Sequence, residues 1–150
     1  MSRITLTLIA LLLSGQVLAQ QIADTEEGYG DLIVSRFIEV IDGDTIKVDI
    51  NTLPDIIGKA VKIRFRGVDT PEIRRPKCEK ERELGFKAKA FVEERLQTAS
   101  RIELLKIDRG NFFRIVADVV YDGKRIAQEI IAAGHGVEYD EKKKKDWCAD

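Results

Sequence analysis

The sequence predicts a mainly β domain with helices, an α+β fold of five strands. A long helix is predicted between the third and fourth strands, and a short helix after the fifth. Several short stretches alternate apolar and charged residues, which is typical of strands that bury one face. One longer stretch repeats apolar residues at three- and four-residue steps, as an amphipathic helix does. An Asp-Gly pair, a strong signal for a tight turn, separates the first two strand-like stretches.

The first two strands are predicted at residues 32–40 and 45–50, and Asp42-Gly43 between them indicates a hairpin turn. Residues 51–58 contain Pro54 and Gly58 and are predicted to form a loop. The third strand is predicted at residues 59–68, where the charged side chains alternate with the apolar ones. Because alternate residues of a strand point to opposite faces, Arg64 is expected on the side away from the core.

The long helix is predicted at residues 79–100. Strands follow at residues 101–107 and 112–121, and the short helix at residues 125–133. The apolar stripe of the long helix consists of Leu84, Ala88, Phe91, Val92, Leu96 and Ala99. This order of elements is that of the OB-fold, a small, partly open, five-stranded barrel that binds oligonucleotides.

The chain is predicted to divide into four segments. Residues 1–19 combine a positive start, a short apolar run and a small-residue cleavage site, which predicts a signal peptide and an exported protein, periplasmic or secreted. A buried core helix is the alternative for this segment. Residues 20–31 are predicted to be a flexible arm, residues 32–138 the domain, and residues 139–150 a lysine-rich tail. No membrane segment is expected after signal cleavage, because no other stretch is apolar enough to span a bilayer.

The charge balance excludes one class of nucleic-acid-binding protein. Without Arg3 of the signal, 24 basic and 26 acidic residues remain, a formal net charge near −2. This argues against a protein that coats nucleic acid with a broadly basic surface. An enzyme that needs positive charge around one phosphate is compatible with it. Such local charge is present on and after the third strand, at Lys59, Lys62, Arg64, Arg66, Arg74, Arg75 and Lys77.

Two short acidic segments carry the residues that indicate chemistry. Asp44 follows the first turn, and Asp69 and Glu72 follow the third strand. Carboxylates are the hard oxygen ligands that hold Ca²⁺ or Mg²⁺, and Arg64 and Arg114 could each grip a phosphate through two parallel hydrogen bonds. Either segment alone is more simply a hairpin turn or the start of a loop or helix. Together with both arginines, they favour a site that cleaves a phosphodiester.

Over residues 35–137 the chain resembles the thermonuclease family, the staphylococcal-nuclease-like phosphodiesterases. The resemblance depends on IDGDT at residues 41–45, on IRFRGVDTPE at residues 63–72, and on Arg114, eight residues before a second Asp-Gly pair. It implies closure of the OB-fold barrel. It also implies a Ca²⁺-dependent enzyme that hydrolyses DNA and RNA, single-stranded by preference, by in-line attack of water. Little sequence specificity and a monomeric enzyme are expected.

The same resemblance implies a role for each site residue. Asp44 and Asp69 would bind Ca²⁺, helped by the backbone carbonyl of Thr70. Glu72 would orient or deprotonate the attacking water. The two arginines named above would hold the phosphate and stabilise the charge that grows on it.

The segment before Arg114 departs from the family pattern. A tyrosine and a glycine usually precede this arginine, whereas Phe112 and Phe113 stand here. The aromatic face is kept, but a hydroxyl and a flexible hinge are not. Phe112 and Tyr139 are candidates for stacking on bases, as in single-strand binders, although such side chains are more often part of a core.

Two cysteines, Cys78 and Cys148, are predicted to form a disulfide in an exported chain. Two free thiols are the alternative. Their spacing excludes a CxxC motif, and the single histidine leaves no zinc-binding set. The lysine run at residues 142–145 is most simply a solvated surface, with nonspecific attraction to phosphates as the alternative.

A non-catalytic OB-fold module that binds nucleic acid or protein is the alternative function. Such a module would keep the fold and would need none of the site residues. All three acidic residues and both arginines are present, which favours the nuclease.

Overall fold

The computed structural model describes residues 29–110, 114–140 and 142–149. The predicted signal peptide and most of the predicted arm lie outside the described residues, and so does Phe112, the candidate for base stacking. In the part of the chain that is described, no helix is both long enough and apolar enough to cross a membrane.

Nine strands and three helices are present in the described ranges. The strands are β1 Leu32–Ile33, β2 Arg36–Asp42, β3 Thr45–Asp49, β4 Val61–Phe65, β5 Val68–Asp69, β6 Ile102–Arg109, β7 Ile115–Tyr121, β8 Lys124–Arg125 and β9 Val137–Glu138. The helices are α1 Asp55–Gly58, α2 Glu79–Gln97 and α3 Ile126–Ala132. The five predicted strands, the long helix and the short helix after the last long strand are therefore confirmed. A single helical turn, α1, lies within the predicted loop.

The strands form a curled sheet in the order β1-β6-β7-β4-β3-β2, in which β4 and β7 are parallel. The strand predicted at residues 32–40 is split in two, because its halves form opposite edges of the sheet, β1 beside β6 and β2 beside β3. The Val34 amide donates to the Ile102 carbonyl at 3.0 Å, and the next amide, that of Ser35, donates to Asp49 at 2.8 Å. One chain segment thus joins both edges, and the sheet curls into a half-barrel consistent with the OB-fold.

Apolar side chains from the sheet and from α2 fill the interior of the curl. On α2, Ala88, Val92 and Leu96 are buried, which confirms the predicted stripe. On β4, Ile63 and Phe65 are buried and Lys62 is exposed, so the strand has the predicted alternation. Arg64 therefore lies on the face away from the core.

Two glycines let α2 approach both acidic segments. A Cβ atom on Gly43 would lie 2.6 Å from the Cβ of Ala88, and one on Gly85 would lie 2.9 Å from the Pro71 carbonyl oxygen. The first hairpin turn consists of Gly43 and Asp44, since Asp42 still pairs with Thr45 as part of β2. Gly43 is thus required for close packing, and the hairpin signal was one residue out of place.

The disulfide prediction is confirmed. Cys78 and Cys148 are bonded, with their Cα atoms 6.1 Å apart. Cys78 is also the N-cap of α2, and its sulfur accepts a hydrogen bond from the Glu81 amide at 3.4 Å. The bridge therefore attaches the C-terminal tail to the start of the long helix.

Candidate active site

Strand register brings the two acidic segments and the first arginine together. Arg64 on β4 lies opposite Thr45 on β3, directly beside Asp44. On its other side, Arg64 lies opposite Val116 of β7, two residues beyond Arg114. The central position of β4 therefore places its arginine between the hairpin turn and the start of β7. Arg114 precedes β7 and does not begin it, which corrects the predicted start of that strand.

The Arg64 guanidinium is held by the oxygen atoms of three neighbouring residues. It forms an ion pair with Asp44 through Nη1, and its Nη2 donates to the Val68 carbonyl at 3.3 Å and lies 3.7 Å from Asp69. The Arg64 side chain is only 14% exposed. The Tyr139 ring lies 5.8 Å from the guanidinium carbon, within the range of a cation–π contact. The orientation of the guanidinium plane is thus set before any ligand binds.

The two predicted metal-binding carboxylates differ in how far they are satisfied. Asp44 accepts hydrogen bonds from the Thr45 hydroxyl at 2.9 Å and from the Thr70 amide at 3.3 Å. Asp69 is 1% exposed, and neither of its oxygens has a hydrogen-bond partner among the described residues. It has ion-pair contacts with Arg64 and with Lys144, whose Nζ lies 3.2 Å from Oδ1.

A third carboxyl group, that of Asp42, lies close to Asp44 and ionises less readily than an ordinary carboxyl group. Burial and the neighbouring charge of Asp44 raise the pKa of Asp42 to about 7. Its Oδ1 atom is buried and has no hydrogen-bond partner in the described part of the chain. The sequence predicts Asp42 to be a turn residue, although Asp42 belongs to the same acidic segment as Asp44 and could have been expected beside it.

Glu72 is held at the cleft by the loop between β5 and α2. The amide of Arg74 donates to Glu72 Oε1 at 3.0 Å. The loop itself is fixed by the buried Glu81 of α2, whose carboxylate accepts from the Lys77 amide at 2.6 Å and from the Glu72 amide at 3.4 Å. Glu81 therefore positions Glu72, a role that its place on an otherwise solvated helix face did not reveal.

A cleft of about 330 Å³ collects most of the predicted site residues. Asp69 lies buried beside it and is not part of its lining, and its predicted partner Thr70 does line it. The polar residues of the lining, with Tyr139, are Asp42, Asp44, Arg64, Arg66, Thr70, Glu72, Arg114 and Lys144. Three separate segments of the chain thus place carboxylates and guanidinium groups around one space, and a fourth adds Tyr139 and Lys144.

The fit of these residues to Ca²⁺ depends on oxygen atoms that lack partners. No group of three or more Asp, Glu, His or Cys side chains within the described residues is close enough to hold a metal ion by itself. Two carboxylates, Asp44 and Asp69, are nevertheless joined through Arg64, and the oxygens of Asp69 are buried without hydrogen bonds. Carboxylate oxygens that are buried and accept no hydrogen bond suit a hard divalent cation, and water and the Thr70 carbonyl would complete its ligands.

Comparison with known proteins identifies the family to which this chain is similar. Residues 62–148 match the sequence profile of the family described as Staphylococcal nuclease homologue. The chain is also 34% identical over 94 residues to the "Uncharacterized protein MJ1439" of Methanocaldococcus jannaschii, an alignment that covers 53% of this chain. The alignment spans 41% of that relative's own length.

Proposed function

This chain belongs to the staphylococcal nuclease homologue family, and on that premise we propose that it is a Ca²⁺-dependent nuclease. Its substrates are DNA and RNA, single-stranded by preference, with little sequence specificity. The observation that carries the proposal is the cleft that gathers Asp44, Arg64, Glu72 and Arg114. These groups supply metal ligands, a base and two phosphate-binding forks in one place.

Each residue has a separate task in the proposed hydrolysis. Glu72 orients the attacking water and accepts its proton as the oxygen attacks phosphorus in line with the leaving oxygen. Arg64 and Arg114 donate to the phosphoryl oxygens, on which negative charge grows as the bond forms. Asp44 and Asp69, with the Thr70 carbonyl, would hold the cation, which when bound polarises a phosphoryl oxygen.

The contacts of Arg64 support its part in this scheme. A guanidinium has five N–H donors in a planar fork, and the ion pair with Asp44 and the bond to the Val68 carbonyl use only some of them. Because these partners are fixed, the remaining donors need no reorganisation when charge develops on the phosphate. Preorganisation of this kind favours the transition state over the ground state.

The proposal predicts that turnover requires a divalent cation. We expect the purified chain to hydrolyse denatured DNA in Ca²⁺ and to lose that activity in EDTA, because no cation is then present to polarise a phosphoryl oxygen. Release of acid-soluble nucleotides measures turnover, and Glu72→Gln, which keeps the size of the side chain, is the matched inactive control. Full activity in EDTA would contradict the metal mechanism, and activity in Mg²⁺ alone would contradict only the choice of cation. Binding of DNA without turnover would favour the non-catalytic alternative.

A second prediction concerns the exposed arginine of the cleft. Arg114→Lys is expected to lower kcat by about 10²-fold, because lysine keeps the charge but loses the two-point fork. Steady-state kinetics on a short oligonucleotide separate this effect from a change in KM. Turnover close to wild type would mean that Arg114, next to the departure at Phe112 and Phe113, does not hold the phosphate.

We also propose that the protein is exported and acts as a monomer. Support for export comes from the signal-like composition of residues 1–19 and from the disulfide, since such bonds persist in oxidising compartments.

A further inference from the structure

The C-terminal strap, which we define as the described residues 139–140 and 142–149, is fixed at both ends beside the cleft. Directly before it, β9 pairs with β5 so that Val137 lies opposite Asp69, and at its start the Tyr139 amide donates to the Gly67 carbonyl at 3.1 Å. At its end, Cys148 is bonded to Cys78, and the neighbouring Trp147 side chain is buried. The strap therefore has little freedom to leave the side of the cleft where Asp69 lies.

Within the strap, Lys144 places its ammonium group next to the buried carboxylate of Asp69. Its Nζ lies 3.2 Å from Asp69 Oδ1, closer than the 3.7 Å that separates this oxygen from Arg64. Asp69 has no hydrogen bond from the described residues to satisfy its charge. A buried carboxylate is costly unless it is paired, so Lys144 accounts for much of the compensation that Asp69 receives.

Lys144 also has room to move away. Its side chain is 56% exposed, although its ammonium reaches a carboxylate that is 1% exposed. The other three lysines of the run are exposed and make no contact with Asp69 among the described residues. Lys144 can therefore turn into solvent at the edge of the cleft while the backbone of the strap stays anchored.

We infer that Lys144 is a built-in counter-ion that competes with the divalent cation for Asp69. It neutralises Asp69 in the cation-free protein and leaves this carboxylate when the cation binds. Because the ion pair must be broken first, Lys144 weakens cation binding and stabilises the cation-free fold. This inference depends on the proposed metal-dependent function, since Asp69 is a ligand in that proposal.

The test compares two variants that remove the same charge from neighbouring positions. Lys144→Met keeps the aliphatic stem and removes the ammonium, and Lys143→Met does the same at a residue that forms no ion pair with any described residue. Calorimetric titration of the oxidised chain with Ca²⁺ is expected to give a Kd about three- to tenfold tighter for Lys144→Met than for Lys143→Met, the scale of one partly exposed ion pair. Equal Kd values for the two variants would overturn the inference.

Thermal unfolding provides a readout that does not depend on catalysis. In EDTA, Lys144→Met is expected to melt at a lower temperature than Lys143→Met, because Asp69 loses its nearest cation. In saturating Ca²⁺ the difference should shrink, since Lys144 no longer contacts Asp69 in the bound state. A difference of the same size in both conditions would make Lys144 a purely structural contact and would overturn the competition.

Failure of this inference can be distinguished from failure of the proposed function. Hydrolysis of denatured DNA by the wild-type chain tests the function alone. A wild-type chain that hydrolyses DNA, with both variants binding Ca²⁺ equally, overturns the role of Lys144 and leaves the nuclease proposal in place. A wild-type chain that neither binds a divalent cation nor hydrolyses DNA overturns both.

Discussion

Arg64→Lys is expected to lower kcat by at least about 10²-fold, the scale for removal of one preorganised donor to the transition state. The charge is kept, but the ammonium of lysine cannot contact Asp44 and the Val68 carbonyl and still present a planar fork to a phosphate. The loss should fall mainly on kcat, because the fork acts on charge that appears only in the transition state.

Arg66→Lys is the matched control for this experiment. Arg66 lies two residues further along the chain and also lines the cleft, but its Nη2 donates to the Lys106 carbonyl at 2.6 Å, and its Nε lies 3.8 Å from Asp118. We expect its replacement to change kcat by less than about threefold. Thermal unfolding in EDTA shows whether each variant is folded. If a folded Arg64→Lys chain turned over as fast as Arg66→Lys, Arg64 would not be part of the catalytic site.

Local patterns predicted the elements of this fold well, because each depends on residues close in sequence. The period of two on β4 placed Arg64 on the correct face, and the helical stripe on α2 matched the buried residues. Pairing between distant segments could not be predicted in the same way. Nothing in the alternation of residues 32–40 indicates that Val34 donates to β6 and Ser35 to β3, at opposite sides of the sheet.

In the candidate site, too, local motifs could be recognised in the sequence, whereas contacts between distant segments could not. Motif spacing identified Asp44, Arg64 and Glu72, which the strand register then brings to one cleft. Lys144 was interpreted as part of a solvated lysine run, because a run of like charges has no period that marks one member as different. Its contact with Asp69 arises from two constraints far away in sequence, the β5–β9 pairing and the disulfide.

Removal of the Cys78–Cys148 bridge is expected to lower the free energy of unfolding by about 4 kcal/mol in the chain-entropy model. The two cysteines are 70 residues apart, so the bridge closes a large loop in the unfolded chain. For a domain of this size, the loss corresponds to a fall in Tm of roughly 10–20 °C. The variant to measure is Cys78→Ser/Cys148→Ser, because a serine at position 78 keeps an acceptor for the Glu81 amide and so preserves the cap of α2.

Activity at moderate temperature should change far less than stability in this double variant. Asp44 is held by the first hairpin, Asp69 by the pairing of β5 with β9, and Glu72 by Glu81, and none of these contacts includes the bridge. The strap that carries Lys144 does depend on it, so Ca²⁺ affinity should rise toward that of Lys144→Met while kcat at 25 °C stays within about threefold of wild type. Calorimetric unfolding and kinetics on the same preparation measure both effects.

An unchanged Tm, or two thiols that alkylate in the wild-type chain without reductant, would contradict a stabilising bridge; a large loss of kcat with the fold intact would mean that the tail holds the catalytic residues directly.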